Sequence, residues 1–192
     1  MSVFKSPRLI IPFIDLPTTV KNREVRHLDK FDKINLEGRV ELHLNNNADY
    51  SIEIKTSKAS DITDLVTEIR NGELFIYNDK TKGKTPKYII YLNHSGISQL
   101  TISGIIKLFS NKAISDKNLK VVGKGVLKGN IKVSVDKLRT EVKGISNIRI
   151  SGKADVASIE IGGVGKINAK TLEISRGNKR TYGITTVLMP HN

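Results

Sequence analysis

The sequence predicts an all-β protein, a parallel β-helix or β-solenoid with repeats of about 20 residues. Two observations predict it. Apolar and polar residues alternate along most of the chain, and glycines recur at nearly constant spacing in its second half. Alternation of period two places one side of a strand inward, and a period near twenty in strand-rich sequence is typical of stacked turns of chain.

Alternating runs in the first half predict short strands. They cover residues 34–44, 52–54 and 74–77, and residues 88–92 form a continuous apolar strand. Asn, Asp, Gly and Ser bound these runs, as expected for strands joined by turns. Residues 59–70 are the one segment that could form a short helix, although their second half fits a strand equally.

Five glycines in the second half define the repeat. They are separated by 19, 21, 19 and 20 residues: Gly104, Gly123, Gly144, Gly163 and Gly183. Aligned on these glycines, the positions two before are mostly aliphatic: Ile102, Val121, Val142, Ile161 and Thr181. Glycine allows the backbone to bend between strands at each corner. The position directly after the glycine is apolar in four repeats but Lys124 in the second, which leaves its orientation open.

The positive charge is concentrated in the second half of the chain. The whole sequence has 32 Lys and Arg against 19 Asp and Glu, a net charge of +13. Residues 1–96 contribute 15 basic and 13 acidic side chains (+2), and residues 97–192 contribute 17 and 6 (+11). Such a field attracts polyanions. The alternative is that dispersed lysines only solvate the surface and protect strand edges.

Four basic residues are candidates for a ligand-binding stripe. Each lies three or five residues after a repeat glycine, with outward parity: Lys107, Lys128, Arg149 and Lys166. A basic stripe along one face would suit an anionic polysaccharide or an anionic lipid surface. Aromatic residues make up 5% and Trp is absent, so sequence-specific nucleic-acid recognition by base stacking is disfavoured.

Several classes of site are excluded or not predicted. The chain has no Cys, which excludes disulfides, thiolate metal sites and a Cys nucleophile. Its four histidines lack the spacing of a zinc site, so neither a metal nor another cofactor is predicted. No apolar run approaches the ~20 residues of a membrane-spanning helix.

Glu141 and Glu160 form the one candidate acid pair. Both lie three residues before a repeat glycine, so adjacent turns would place them about 4.8 Å apart. Two carboxylates at that separation could bind Ca²⁺ or perform retaining glycoside hydrolysis. The favoured alternative is a charge ladder, with Lys120 beside Glu141 and Arg180 beside Glu160.

The N-terminal residues 1–27 are predicted to form an extended arm or a first strand. Their apolar segment, residues 9–14, is six residues long, contains Pro12 and is followed by Asp15. A signal peptide has a longer apolar region of ~7–15 residues and a small-residue cleavage site. The sequence therefore predicts no signal peptide on this chain.

Several segments resemble the head GIN domain family, the auto-transporter adhesins. Residues 31–42, FDKINLEGRVEL, resemble the family's opening strand, and residues 71–76, NGELFI, its "dGxLxI" segment. Residues 100–104, 148–152 and 181–183 resemble its "LxxSG" and terminal "YxG" features. The resemblance implies a right-handed parallel β-helix-like fold over residues 28–190, with the basic repeats in residues 97–190. It also implies a bacterial, extracytoplasmic location, and no catalytic residues.

Together these observations predict a non-enzymatic, adhesin-like binding protein of the cell surface or envelope. Its partner would be an anionic glycan, lipopolysaccharide or a lipid surface. The alternative is a lyase or hydrolase acting on polysaccharide, which rests on the fold-level analogy to β-helix enzymes. A purely structural envelope protein is the third possibility.

Overall fold

The computed structural model describes residues 22–79 and 86–190. The apolar segment of residues 9–14, and with it most of the predicted N-terminal arm, lies outside the described residues. The elements are, in chain order, β1 (Asn22–His27), β2 (Lys33–Asn46), β3 (Ser51–Thr56), α1 (Ala59–Asp64), β4 (Leu65–Arg70), β5 (Glu73–Asn78), β6 (Lys87–His94), β7 (Gln99–Ser110) and β8 (Ile114–Leu188).

The strands form one mixed sheet. On one side β2 pairs in parallel with β7, and on the other it pairs in parallel with β5 and then β6. β7 continues in parallel to β8. Three pairs are antiparallel: β1 with β3, β3 with β6, and β4 with β5. The all-β prediction is confirmed, but the expectation of a purely parallel β-helix is wrong for the first half.

A tight hairpin explains part of this difference. Asn71 and Gly72 join β4 to β5 with positive φ angles of 50° and 74°. An Asn-Gly pair in this conformation forms the two-residue turn whose twist matches antiparallel strands. The ambiguous segment of residues 59–70 divides into the single-turn helix α1 and the strand β4. These short elements close one end of the sheet.

β8 winds back on itself. As a straight strand its 75 residues would span about 250 Å. Instead, six glycines lie one beside the next in a single file: Gly38, Gly104, Gly125, Gly144, Gly163 and Gly183. Each of the last five lies directly against the backbone of the glycine before it in this file. We call this set the glycine file. All six have positive φ angles, and a Cβ on any of the last five would lie less than 3.0 Å from a carbonyl oxygen.

The glycine file corrects the predicted repeat. Gly104 pairs with Gly125, not with Gly123, and Gly123 lies opposite Ile102. The second repeat is therefore shifted by two residues relative to the alignment drawn from the sequence. Both glycines are bounded by lysine and aliphatic residues, so the spacing alone did not distinguish them. What distinguishes them is the backbone: Gly125 has a φ of 102°, whereas Gly123 is buried among side chains.

The interior is a single apolar core that runs the length of the sheet. It extends from Phe31 and Ile34 in the first strands to Ile167 and Leu172 in the last turns. Of the buried polar side chains that interrupt it in the described residues, Ser51, Thr56, His94, Thr140 and Ser146, His94 is the ionisable one. His94 is 0% exposed, and within the described part of the chain neither ring nitrogen has a hydrogen-bond partner. Burial lowers the pKa of His94 from 6.5 to about 4.

We expect Gly144→Ala to destabilise the fold by about 3 kcal/mol or more, because the new methyl group would collide with the Gly125 carbonyl at a positive φ. The free energy of urea unfolding measures the effect. Gly162→Ala is the matched control, because the nearest atoms to its Cβ are 3.8 and 4.0 Å away. Similar losses in both variants would contradict the close approach of successive turns.

We expect His94 to make stability depend on pH. Its pKa is lower in the folded protein, so the unfolded chain takes up the proton first and stability falls as the pH drops from 6.5 to about 4. The full loss is about 3 kcal/mol. His94→Leu should remove this part of the pH profile while retaining stability near neutral pH. An unchanged profile in His94→Leu would show that another group titrates.

Candidate functional site: a basic cleft beside the glycine file

The four predicted basic residues lie together. Lys107, Lys128, Arg149 and Lys166 all line one open cleft of about 440 Å³ on the outer face of the sheet. They belong to two neighbouring files. The first file consists of the residues that follow a member of the glycine file by three positions: Lys107, Lys128, Asn147 and Lys166. The second file consists of the residues that follow the same glycines by five positions: Phe109, Asn130, Arg149 and Asn168.

The chemistry of the cleft is cationic and amide-rich. Asn130, Asn147 and Asn168 stand between the four cations, and no carboxylate belongs to the described residues that line the cleft. The nearest acid along the first file is Glu41 of β2, which pairs with Lys107 in the sheet. A Glu41 carboxylate oxygen lies 3.5 Å from the Lys107 Nζ. The cleft therefore offers charge-assisted donors to an anion and neutral donors and acceptors to hydroxyl groups.

A stack of rings extends the second file toward the N-terminal strands. The His43 ring lies 4.7 Å from the Tyr91 ring and 5.2 Å from the Phe109 ring, with interplanar angles of 16° and 24°. The Lys55 Nζ lies 4.3 Å from the centre of the Tyr91 ring on the far side. Phe109 belongs both to this stack and to the cleft.

Sequence reasoning missed His43, Phe109 and the three asparagines. The signal was present, because His43 and Phe109 each follow a member of the glycine file, Gly38 or Gly104, by five residues. Gly38 was not recognised as a repeat glycine, since its pairing with Gly104 spans 66 residues of chain. His43 lies half-buried on the outer face between the two aromatic rings.

Glu141 and Glu160 lie on the other side of the glycine file. Both line a smaller cleft of about 210 Å³ together with Arg139 and Arg180. Arg139 Nε donates to a Glu141 carboxylate oxygen at 2.5 Å, so its partner is an arginine of its own strand. The expected neighbour Lys120 is not among the lining residues, because the corrected register places Val122 in the file of Glu141. Glu141 is thus paired with Arg139, and Glu160 shares the cleft with Arg180.

Neither a metal-binding cluster nor a membrane-spanning helix is found in residues 22–79 and 86–190. In these ranges no group of three or more His, Asp or Glu side chains could hold a metal ion. No helix there is both long and apolar enough to cross a bilayer.

Three crystal structures share the fold. A putative adhesin from Bacteroides fragilis is 19% identical with a TM-score of 0.80, covering 87% of this chain and 79% of that one. A putative adhesin from Parabacteroides distasonis is 17% identical with a TM-score of 0.73, covering 87% and 72%. A putative lipid binding protein from Parabacteroides distasonis is 19% identical with a TM-score of 0.65, covering 87% and 81%.

Comparison with curated proteins finds no match. The family described as "Putative auto-transporter adhesin, head GIN domain" matches residues 30–184, which confirms the resemblance carried by the strand and glycine motifs. The match includes the whole glycine file, both files of the basic cleft and the acid pair. The chain therefore belongs to the head GIN domain family of putative auto-transporter adhesins.

Proposed function

We propose that this protein is a non-enzymatic, adhesin-like binding protein that holds an anionic polysaccharide in the basic cleft. One observation carries the proposal. Four cations and three asparagines, contributed by four successive turns, line one open cleft in which no carboxylate belongs to the described lining residues. An open cleft of this shape suits a polymer that lies along the surface.

Each group in the cleft has a role toward an acidic sugar chain. The Arg149 guanidinium can bind a carboxylate or sulfate group through two parallel hydrogen bonds. Lys107, Lys128 and Lys166 supply point charges along the polymer, and the asparagine amides bind hydroxyl groups. Phe109 offers an apolar ring face to the face of a sugar ring.

The winding of β8 supports the same proposal. We infer that residues 97–190 form a β-solenoid, in which each turn adds one residue to every file at the strand spacing of about 4.8 Å. The backbone contacts along the glycine file support this inference. A linear ligand would then meet equivalent groups on successive turns, so that several weak contacts add up.

Family membership supports a location outside the bacterial cytoplasm. The matching family is described as adhesins, and two neighbours in fold are described in the same way. An adhesin acts at the cell surface or in the envelope, where acidic polysaccharides are exposed. We therefore place the proposed binding function in the periplasm, on the cell surface or among secreted proteins.

Heparin is a suitable first probe. We expect the logarithm of the association constant to fall linearly with the logarithm of the salt concentration. The double variant Lys128→Glu/Arg149→Glu should weaken binding about tenfold or more and reduce the slope by about 2. Lys153→Glu/Lys170→Glu is the matched control, because it makes the same charge change at exposed positions outside the cleft. Equal losses in the two variants would contradict a defined cleft.

A second candidate function is cleavage of acidic polysaccharide, which the shared cleft of Glu141 and Glu160 favours. Pectin, alginate and hyaluronan are the substrates to test, with new reducing ends or unsaturated products as the readout. Product formation that is lost in Glu141→Gln would establish the enzyme. Binding without product, unaffected by Glu141→Gln, is the result expected for an adhesin.

A further inference from the structure

An apolar line runs along the outer surface, one residue after each member of the glycine file from Gly104 onward. We call it the apolar stripe: Ile105, Val126, Ile145, Val164 and Ile184. Ile105 and Ile145 are 54% exposed, Val164 is 51% and Ile184 is 79%. The corrected register replaces Lys124 with Val126, which is half-buried, so the file is aliphatic in all five turns. Single exposed aliphatic residues are ordinary, but a contiguous file of them marks an interaction surface.

Strand alternation points this stripe outward, and the glycine file places it at a corner. In the first of these turns, Ile102 and Ile106 are both buried, while Gly104 and Ile105 between them are exposed. Ile105 has the opposite parity to both buried residues, so strict alternation already places its side chain outside. The positive φ of Gly104, 110°, turns the chain at a corner without changing which parity faces inward. The stripe therefore follows the corner of every turn.

Lysines flank the stripe on both sides. The file directly before the glycines contains Ser103, Lys124, Lys143, Gly162 and Tyr182. The file three residues after them contains Lys107, Lys128, Asn147, Lys166 and Thr186. Neither flanking file of these described turns includes a carboxylate. Tyr182 is 55% exposed and ends the stripe with an aromatic ring that has one polar end.

We propose that the apolar stripe docks onto an anionic lipid bilayer. The isoleucines and valines enter the boundary between head groups and acyl chains, and the lysines on both sides contact lipid phosphates. Long lysine side chains can place their methylene groups beside the stripe and their ammonium groups among the head groups. Tyr182 fits the same boundary, where aromatic side chains with a polar tip are enriched.

Charge complementarity selects a bilayer over a second copy of the chain. Two stripes packed face to face would bring the lysine files of both copies together. Among the described residues that line the groove beside Gly144, Gly163 and Tyr182, Glu160 is the one carboxylate that could offset the repulsion. An anionic bilayer instead supplies an apolar layer bordered by negative charge, which matches the order of groups across this surface. A hydrophilic polysaccharide would not use the stripe, so this inference goes beyond the proposed function.

The absence of Trp from the chain allows a direct test. Ile145→Trp places the only Trp in the stripe, and Val25→Trp places it on β1, at a position 47% exposed and outside the stripe. Vesicles of equal parts phosphatidylcholine and phosphatidylglycerol should shift the emission of Ile145→Trp to shorter wavelength and leave Val25→Trp unchanged. No shift in Ile145→Trp, equal shifts in both, or an equal shift with pure phosphatidylcholine would overturn the proposal.

Vesicle sedimentation separates this proposal from polysaccharide binding. Ile105→Asn/Ile145→Asn should bind the anionic vesicles at least about tenfold more weakly than the unaltered chain, and heparin equally well. Val25→Asn is the control for a lost exposed aliphatic residue. If the double variant keeps full vesicle binding, or if the stripe only makes the protein dimerise in solution, the proposal fails. Loss of heparin binding in the cleft variant bears on the proposed function alone.

Discussion

The surface formed by β2, β7 and β8 depends on how closely successive segments of the chain approach one another at the glycine file. At these positions the backbone of one turn lies so near the carbonyl group of the next that a Cβ has no room. Glycine is also the residue that adopts the required positive φ without strain. The requirement fixes the register of each turn against its neighbours, because a shift by one residue would place a side chain where only glycine fits.

A fixed register places equivalent side chains of successive turns in files. The files on one side of the glycine file differ in chemistry from those on the other side. On one side, Glu141 and Glu160 stand with Arg139 and Arg180 in a cleft of mixed charge. The other side carries the lysines, Arg149 and the asparagines, and the apolar stripe lies between. Neither cleft encloses its contents, so the sheet provides lines of repeated groups. Recognition by such a surface depends on the order of the files and not on the shape of one cavity.

The sequence predicted the strands and the outward basic residues, because period-two alternation and the spacing of Lys107, Lys128, Arg149 and Lys166 are local patterns. It did not predict two features that depend on distant contacts. The choice between Gly123 and Gly125 depends on backbone approach across turns, which residue spacing does not encode. The ring stack joins His43 on β2 to Tyr91 on β6 and Phe109 on β7, and three other strands and a helix separate β2 from β6 in the chain. The Asn71-Gly72 hairpin was readable as a local turn signal, and it accounts for one of the three antiparallel pairs.

The lysines in the first file of the basic cleft, Lys107, Lys128 and Lys166, have a physical consequence for ligand binding. The ammonium groups of Lys107 and Lys128, on adjacent turns, start from backbones about 4.8 Å apart, well within the screening distance of about 8 Å at physiological ionic strength, whereas Asn147 separates Lys128 from Lys166. The two adjacent ammonium groups therefore repel one another, and like charges opposite each other weaken a sheet. Glu41 offsets this repulsion only at Lys107, the N-terminal end of the file. Core burial and the glycine contacts must hold the remaining turns together. A polyanion or an anionic lipid surface would relieve the same repulsion, so part of its binding energy comes from the strain of the free protein.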